Sequence, residues 1–283
     1  MSLLANIGKN IGVIILAIIV LVIGTIPGNL LASFFDNYYL KLIIDSVLRI
    51  ATTISLAWIV SSKLLKIDAD ELGIKPKKMS FWWIAVAIAL PALVLVFYAF
   101  VLPCEPYIAK EGEFTESLIN GLIIAISVGI SEELIFRGII FRYMKKTLGV
   151  KVAVIVPAIL FAAVHITNMN TFDLTDLLLL LFAGSSVSVL FTTMALKSGS
   201  IYPGALAHAL WNTLIIGGIF GVGNIINGAG NDSYIVIPIQ SANKLLTGGN
   251  FGIEAAVPAI MGYVLTCLIV YKIGCSKDNK ICI

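Results

Sequence analysis

The chain is short of charge, of histidine and of cysteine, and each shortage removes a class of protein. Charged residues fill 12% of its 283 positions. A soluble domain carries about 25%, so an ordinary aqueous surface is excluded. The net charge of +3 gives no ground for nucleic-acid binding. Cys104, Cys267, Cys275 and Cys282 offer neither metal-ligand spacing nor a disulfide framework. No cysteine stands fourth from the end in Lys280–Ile283, so the chain is not expected to be a prenylation target itself. There is no Gly-x-Ser-x-Gly elbow and no His-Glu-x-x-His pair. Ser131, Ser185, Ser186 and Ser188 are read as small residues at helix contacts rather than as nucleophiles. Internal repeats and low-complexity tracts are also missing.

What is plentiful is apolar surface. Hydrophobic residues make up 59% of the chain, and the mean hydropathy is +1.01. About 20 apolar residues span a bilayer as a helix. Eight stretches qualify, near 11–34, 42–62, 81–103, 117–141, 152–168, 175–196, 201–222 and 255–273. The sequence therefore predicts an all-α, polytopic membrane protein of about eight transmembrane helices, one integral membrane domain over 1–283. No small-residue cleavage site follows the first stretch, and Pro27-Gly28 interrupts it. A retained helix, open to kinking there, is expected.

Basic residues orient the chain. One set of loops and ends holds Lys9, Lys63, Lys66, Lys75, Lys77, Lys78, Arg142, Lys145, Lys146, Lys151, Lys197, Lys272, Lys277 and Lys280. The opposite set holds only Lys41, Lys110 and Lys244. Cytoplasmic loops concentrate Lys and Arg, so both termini are expected in the cytoplasm of a multi-pass cell-membrane protein. Residues 63–80 read as a lysine-rich cytoplasmic connection, with Asp68, Asp70 and Glu71 suggesting a short amphipathic turn. Residues 223–254 read as a long outer loop, either solvated or lying on the membrane surface.

The few polar groups at membrane depth then stand out, because such groups are expensive there and usually mark a working site. They fall into three motifs: Glu132-Glu133-x-x-x-Arg137, Phe161-x-x-x-His165 and His208-x-x-x-Asn212. Both histidines of the chain are in them. Glu133 and Arg137 share a helix face and can pair. Glu132 points about 100° away and keeps a free carboxylate, suited to general-base work. A purely structural ion pair is the competing reading. His208 and Asn212 can donate from one face toward a developing oxyanion, or simply join helices. The depths of these residues fit one pocket reached from the cytoplasmic side. Chemistry is expected in the fourth, fifth and seventh stretches, with the first three and the last as support.

Taken in this order on membrane helices, the three motifs resemble those of the CPBP family of CAAX proteases and bacteriocin-processing enzymes, also called Abi or Rce1-like. The resemblance covers about residues 117–216, the expected catalytic core. It implies an eight-helix fold with a cavity open to the cytoplasm. It also implies hydrolysis of a peptide bond in a membrane-tethered peptide or protein, which could be CAAX-like, a prepeptide or a bacteriocin. Glu132 would match the family's catalytic glutamate, activating a water with His165. His208 and Asn212 would match the oxyanion-stabilising residues, and Glu133 and Arg137 the supporting pair. No cofactor is expected, although Glu132, His165 and His208 could furnish a two-His-one-carboxylate zinc site. The competing classes are a proton-coupled transporter, whose relays use buried Glu and His, and a non-catalytic bacteriocin-immunity protein.

Overall fold

The computed structural model describes residues 3–75, 78–101, 105–109, 113–169, 172–224, 233–239, 241 and 243–273. Cys104, Cys275, Cys282 and Lys77 lie outside the described residues, as does Asp232. The helices are α1 (Leu3–Ala32), α2 (Tyr38–Ile59), α3 (Phe81–Val101), α4 (Phe114–Glu133), α5 (Phe141–Leu148), α6 (Val150–Val164), α7 (Leu174–Ser198), α8 (Tyr202–Trp211), α9 (Lys244–Thr247) and α10 (Val257–Ile273). Wider π-helical turns extend α2 over Val60–Leu65, join α4 to α5 over Leu134–Ile140, and extend α8 over Asn212–Ile216. Three strands, β1 (Tyr107–Ile108), β2 (Phe220–Asn224) and β3 (Ile235–Ile239), form a sheet of order β1-β3-β2. The protein is thus an all-α polytopic membrane protein with one small sheet. Helix α1 runs through Pro27 without interruption.

Among the described residues, seven helices are long and apolar enough to cross a membrane, one fewer than the sequence suggests. The exception is the 201–222 stretch. Its helix covers only Tyr202–Ile216 and gives way to β2 after Gly217 and Gly218. At 1.5 Å per residue that is about 22 Å, short of the ~30 Å hydrocarbon core. Apolar composition here reflects burial in protein rather than a lipid span: Ala205, Ala207, His208 and Trp211 are all buried. Lipid-facing surface lies on the outer helices, with Ile15, Phe182, Met261 and Leu265 all exposed.

The bundle has two distinct ends. At one, Gly73 O accepts from Ile201 N at 3.1 Å and from Ser200 Oγ at 3.2 Å. Tyr202 OH donates to Ile74 O at 2.6 Å, and Lys146 meets Glu71 at 3.4 Å. Asn10 bonds Thr147 at 3.0 Å. This lysine-rich end gathers the start of α1, the turn after α2, the end of α5 and the α7–α8 corner. The turn at 68–74 is nucleated by Asp68, whose Oδ1 accepts from Asp70 N and Glu71 N at 2.8 Å each. Its Ile67 and Leu72 are buried.

The other end carries the sheet. The 223–254 segment is neither solvated linker nor membrane-surface loop in its apolar part. Ile235–Ile239 is the central strand; Ile237 and Ile239 are buried in the same apolar cluster as residues of α3, α7 and α10, and Val236 is buried as well. Residues 244–255 follow as α9 and a 3₁₀ turn, Gly249–Ala255, which fold back under the helix ends. This strap is held by Lys244, which reaches Asp173 at 2.9 Å and Asp176 at 3.1 Å, and by Tyr98 OH donating to Leu246 O at 2.6 Å.

Candidate active site

Small residues let α8 lie close against α4. A Cβ added to Gly129 would sit 3.2 Å from Ala205 O, and one added to Gly204 only 2.8 Å from Glu133 Oε2. Membrane helices approach closely where side chains are small, and here the approach carries His208 up to the glutamates. On the other flank, a Cβ on Gly184 would sit 2.8 Å from Ala162 Cβ, so α6 and α7 close together beside His165.

Glu133 and Arg137 pair as their spacing requires. Arg137 Nη1 donates to Glu133 Oε1 at 2.8 Å, and both side chains are 0% exposed. Arg137 Nη2 donates to Ser188 Oγ at 2.8 Å and to Ser188 O at 3.2 Å. The guanidinium also lies 4.8 Å from the Phe161 ring centroid and 5.4 Å from that of Phe191. Arg137 is therefore enclosed, with Nη1 and Nη2 bonded and Nε without a hydrogen-bond partner among the described residues. It sits on a π-helical turn, Leu134–Ile140, which a 100° reading does not anticipate; such turns recur at functional sites.

His208 stands between the two glutamates. Its Nδ1 is 3.4 Å from Glu133 Oε1, and its Nε2 is 3.9 Å from Glu132 Oε2. An ionised Glu133 can only accept, which fixes the proton on Nδ1 and turns Nε2 toward Glu132. Phe191 stacks on the imidazole at 5.3 Å. Glu132 Oε2 is buried and has no hydrogen-bond partner. His165 ends α6, and its Nδ1 donates to Phe161 O at 2.7 Å, leaving Nε2 free to face the cavity.

These groups meet around one cavity of about 250 Å³. Glu132, His165, His208 and Asn212 all line it, whereas Glu133 and Arg137 lie behind His208. No group of three His, Cys, Asp or Glu among the described residues is arranged to hold a metal ion. The wall is not confined to the three motif segments. Helix α7 supplies Leu180, Val187 and Phe191, α10 supplies Tyr263, and the strap supplies Phe251 and Glu254. Glu254 is the ionisable group that sequence reasoning misses. It belongs to no spaced motif and lies in a Gly-rich segment, so only its position in the fold marks it.

The cavity reaches from mid-bundle to the sheet end. Asn168, Ile216 and Glu254 border it there, and Asn168 is exposed. Glu132 is about 24 Å along its helix from Leu148 at the lysine-rich end, and His165 about 22 Å from Val150. Glu132 thus lies near mid-span, and Asn168 and Glu254 line the cavity toward the sheet end.

Residues 114–214 match the family described as type II CAAX prenyl endopeptidase Rce1-like. This segment is similar to that family, one of CAAX-type intramembrane endopeptidases, and the match spans about a third of the chain. The match runs from the start of α4 into the turn after α8, and so takes in all three motifs. The similarity supports a peptide or protein substrate and a membrane setting. No curated protein matches the chain, and no solved structure does.

Proposed function

We propose that the chain hydrolyses a peptide bond of a membrane-tethered substrate with a water activated by Glu132, residues 117–216 forming the catalytic core. The observation that carries this reading is the 3.9 Å gap between Glu132 Oε2 and His208 Nε2 on the cavity wall. A water can hydrogen-bond to two acceptors so spaced. Glu132 accepts a proton from that water as its oxygen attacks the scissile carbonyl. Asn212, on the same wall, donates its amide N–H to the oxyanion that develops. His208 holds its neutral Nδ1–H toward Glu133, so Nε2 has no hydrogen to give an oxyanion. It becomes a donor only once it has taken from Glu132 the proton that Glu132 removed from the water, and it then gives that proton to the departing amine. His165, with Nδ1–H on Phe161 O, offers Nε2 as an alternative acceptor for that water in place of His208. Glu133 and Arg137 act through His208, as positioning residues.

The same fit bears on the metal alternative. Glu132 and His208 could both ligate zinc, but His165 makes no ion pair with a described carboxylate, and the donors are not clustered for an ion. No step is therefore routed through a metal.

The lysine distribution supports cytoplasmic termini. With that orientation the cavity opens toward the outer face of the membrane, so the substrate segment reaches it from that side.

The test is a cleavage assay in detergent with a library of membrane-tethered peptides. The wild type should release defined fragments and Glu132→Gln none. A folded Glu132→Gln variant that turns over near the wild-type rate would remove the general-base assignment. Substrate-coupled proton uptake into vesicles without any cleavage would favour the transporter reading instead.

A further inference from the structure

The mechanism uses one of the two carboxylates on the cavity wall and leaves the other idle. Glu254 is half-buried on the Gly249–Ala255 turn, at the mouth. Its backbone carbonyl accepts from Tyr263 OH at 3.2 Å, which fixes the turn. Its carboxylate lies beside the Trp211 indole. A carboxylate offers about four acceptor sites, more than one indole N–H can fill. Trp211, Phe251 and Tyr263 line the cavity around it, with the Trp211 and Tyr263 rings 5.2 Å apart.

Among the described residues, no Lys or Arg lines this cavity. Arg137 is fully enclosed and bonded to Glu133 and Ser188. Lys244, on the same strap, is held by Asp173 and Asp176. The wall therefore offers a carboxylate set among aromatic rings. Carboxylate and aromatic faces together are what a Lys or Arg side chain seeks: the charge pairs with the oxygen, and the rings cover it. A substrate carboxylate would meet like charge in a partly desolvated site, where repulsion is stronger than in water.

We propose that Glu254 is a specificity-determining residue, and that the site prefers a peptide carrying a Lys or Arg side chain beside the scissile bond. The proposal rests on the endopeptidase reading for its reaction but not for its binding step.

The experiment compares membrane-tethered peptides that differ at one position, Lys, norleucine or Glu, with that position scanned through the three residues on each side of the scissile bond. A charged hydrogen bond is worth roughly 1.5–3 kcal/mol, so wild-type kcat/KM at one position should favour Lys over norleucine by about ten-fold or more, chiefly through KM. Glu should be the poorest. In Glu254→Gln, whose amide oxygen can still accept from Trp211, the Lys:norleucine ratio should fall to near one. In Glu254→Lys the order should reverse in favour of Glu. Because each ratio is internal to one protein preparation, partial misfolding does not imitate it.

Binding of the same peptides to Glu132→Gln and to Glu132→Gln/Glu254→Gln supplies a second readout that needs no turnover. The Lys preference should appear in the first and vanish in the second. A wild type that cuts all three peptides equally, or a preference untouched by Glu254→Gln, overturns the proposal. Absence of cleavage alongside a Glu254-dependent binding preference would sink the endopeptidase reading and leave this one standing.

Discussion

At the scale of single residues, two adjacent glutamates do different work because one is bonded to Arg137 and the other faces the cavity. Glu133 is enclosed with Arg137 at 2.8 Å, while Glu132 lines the cavity 3.9 Å from His208 Nε2. Removing one member of a buried pair strands the other charge and costs about 3–5 kcal/mol. Arg137→Ala should therefore unfold at markedly lower temperature than the wild type, as measured by thermal melts in detergent. Glu132→Gln should melt close to wild type yet cleave nothing. Equal melting of wild type and Arg137→Ala would show that the pair is dispensable for the fold. Asn212→Ala removes the amide donor, and loss of one such donor costs about 10²–10³ in turnover. The loss should fall on kcat with KM little changed; a pure KM effect would make Asn212 a binding residue instead.

At the scale of elements, the strap at 244–255 is the part to question. It places Glu254 and Phe251 in the cavity wall and is clasped by Lys244 between Asp173 and Asp176. The hydrogen bond from Lys244 holds the Asp173 carboxyl below its usual range, and Asp173 in turn raises the Lys244 ammonium above its own. The Asp173 contribution is present above about pH 3.9 and is lost as pH falls through the lowered value. The Lys244 contribution is present below about pH 10.4 and is lost as pH rises through the raised one. Hydrogen exchange of residues 244–255, corrected for the intrinsic pH dependence, should thus show protection across the neutral range and fraying at both extremes. Lys244→Ala should lose protection in this segment at pH 7 while α4 and α8 keep theirs. Unchanged protection would mean that Tyr98 and the core contacts of Ile253 hold the strap unaided.

For the whole molecule, the open question is which end meets the cytoplasm. Thr167 is exposed at the sheet end and Lys151 at the lysine-rich end. In a background lacking the native cysteines, Thr167→Cys should react with a membrane-impermeant maleimide on intact cells. Lys151→Cys should react only after the membrane is opened. The reverse pattern would invert the chain and return the cavity mouth to the cytoplasm, in keeping with the family resemblance and against the positive-inside asymmetry.

The amino-acid order by itself determined the helical membrane class, because an apolar run of about 20 residues has few other fates. It also determined the Glu133–Arg137 pair, since residues four apart on a helix are neighbours whatever surrounds them. Other features depend on contacts between distant segments. Composition cannot tell lipid from protein as the apolar environment, so the 201–222 stretch reads as a span although it is a short helix buried beneath α4. A local pattern cannot show that Ile235–Ile239 finds β1 and β2 as pairing partners. Nor can it show that His208 lies between Glu132 and Glu133, or that Glu254, over a hundred residues later, closes the same wall. Those relations are set by small residues such as Gly129 and Gly204, which let two helices approach, and by a clasp of Lys244 on two aspartates. Only the packed chain brings these groups within reach of one another.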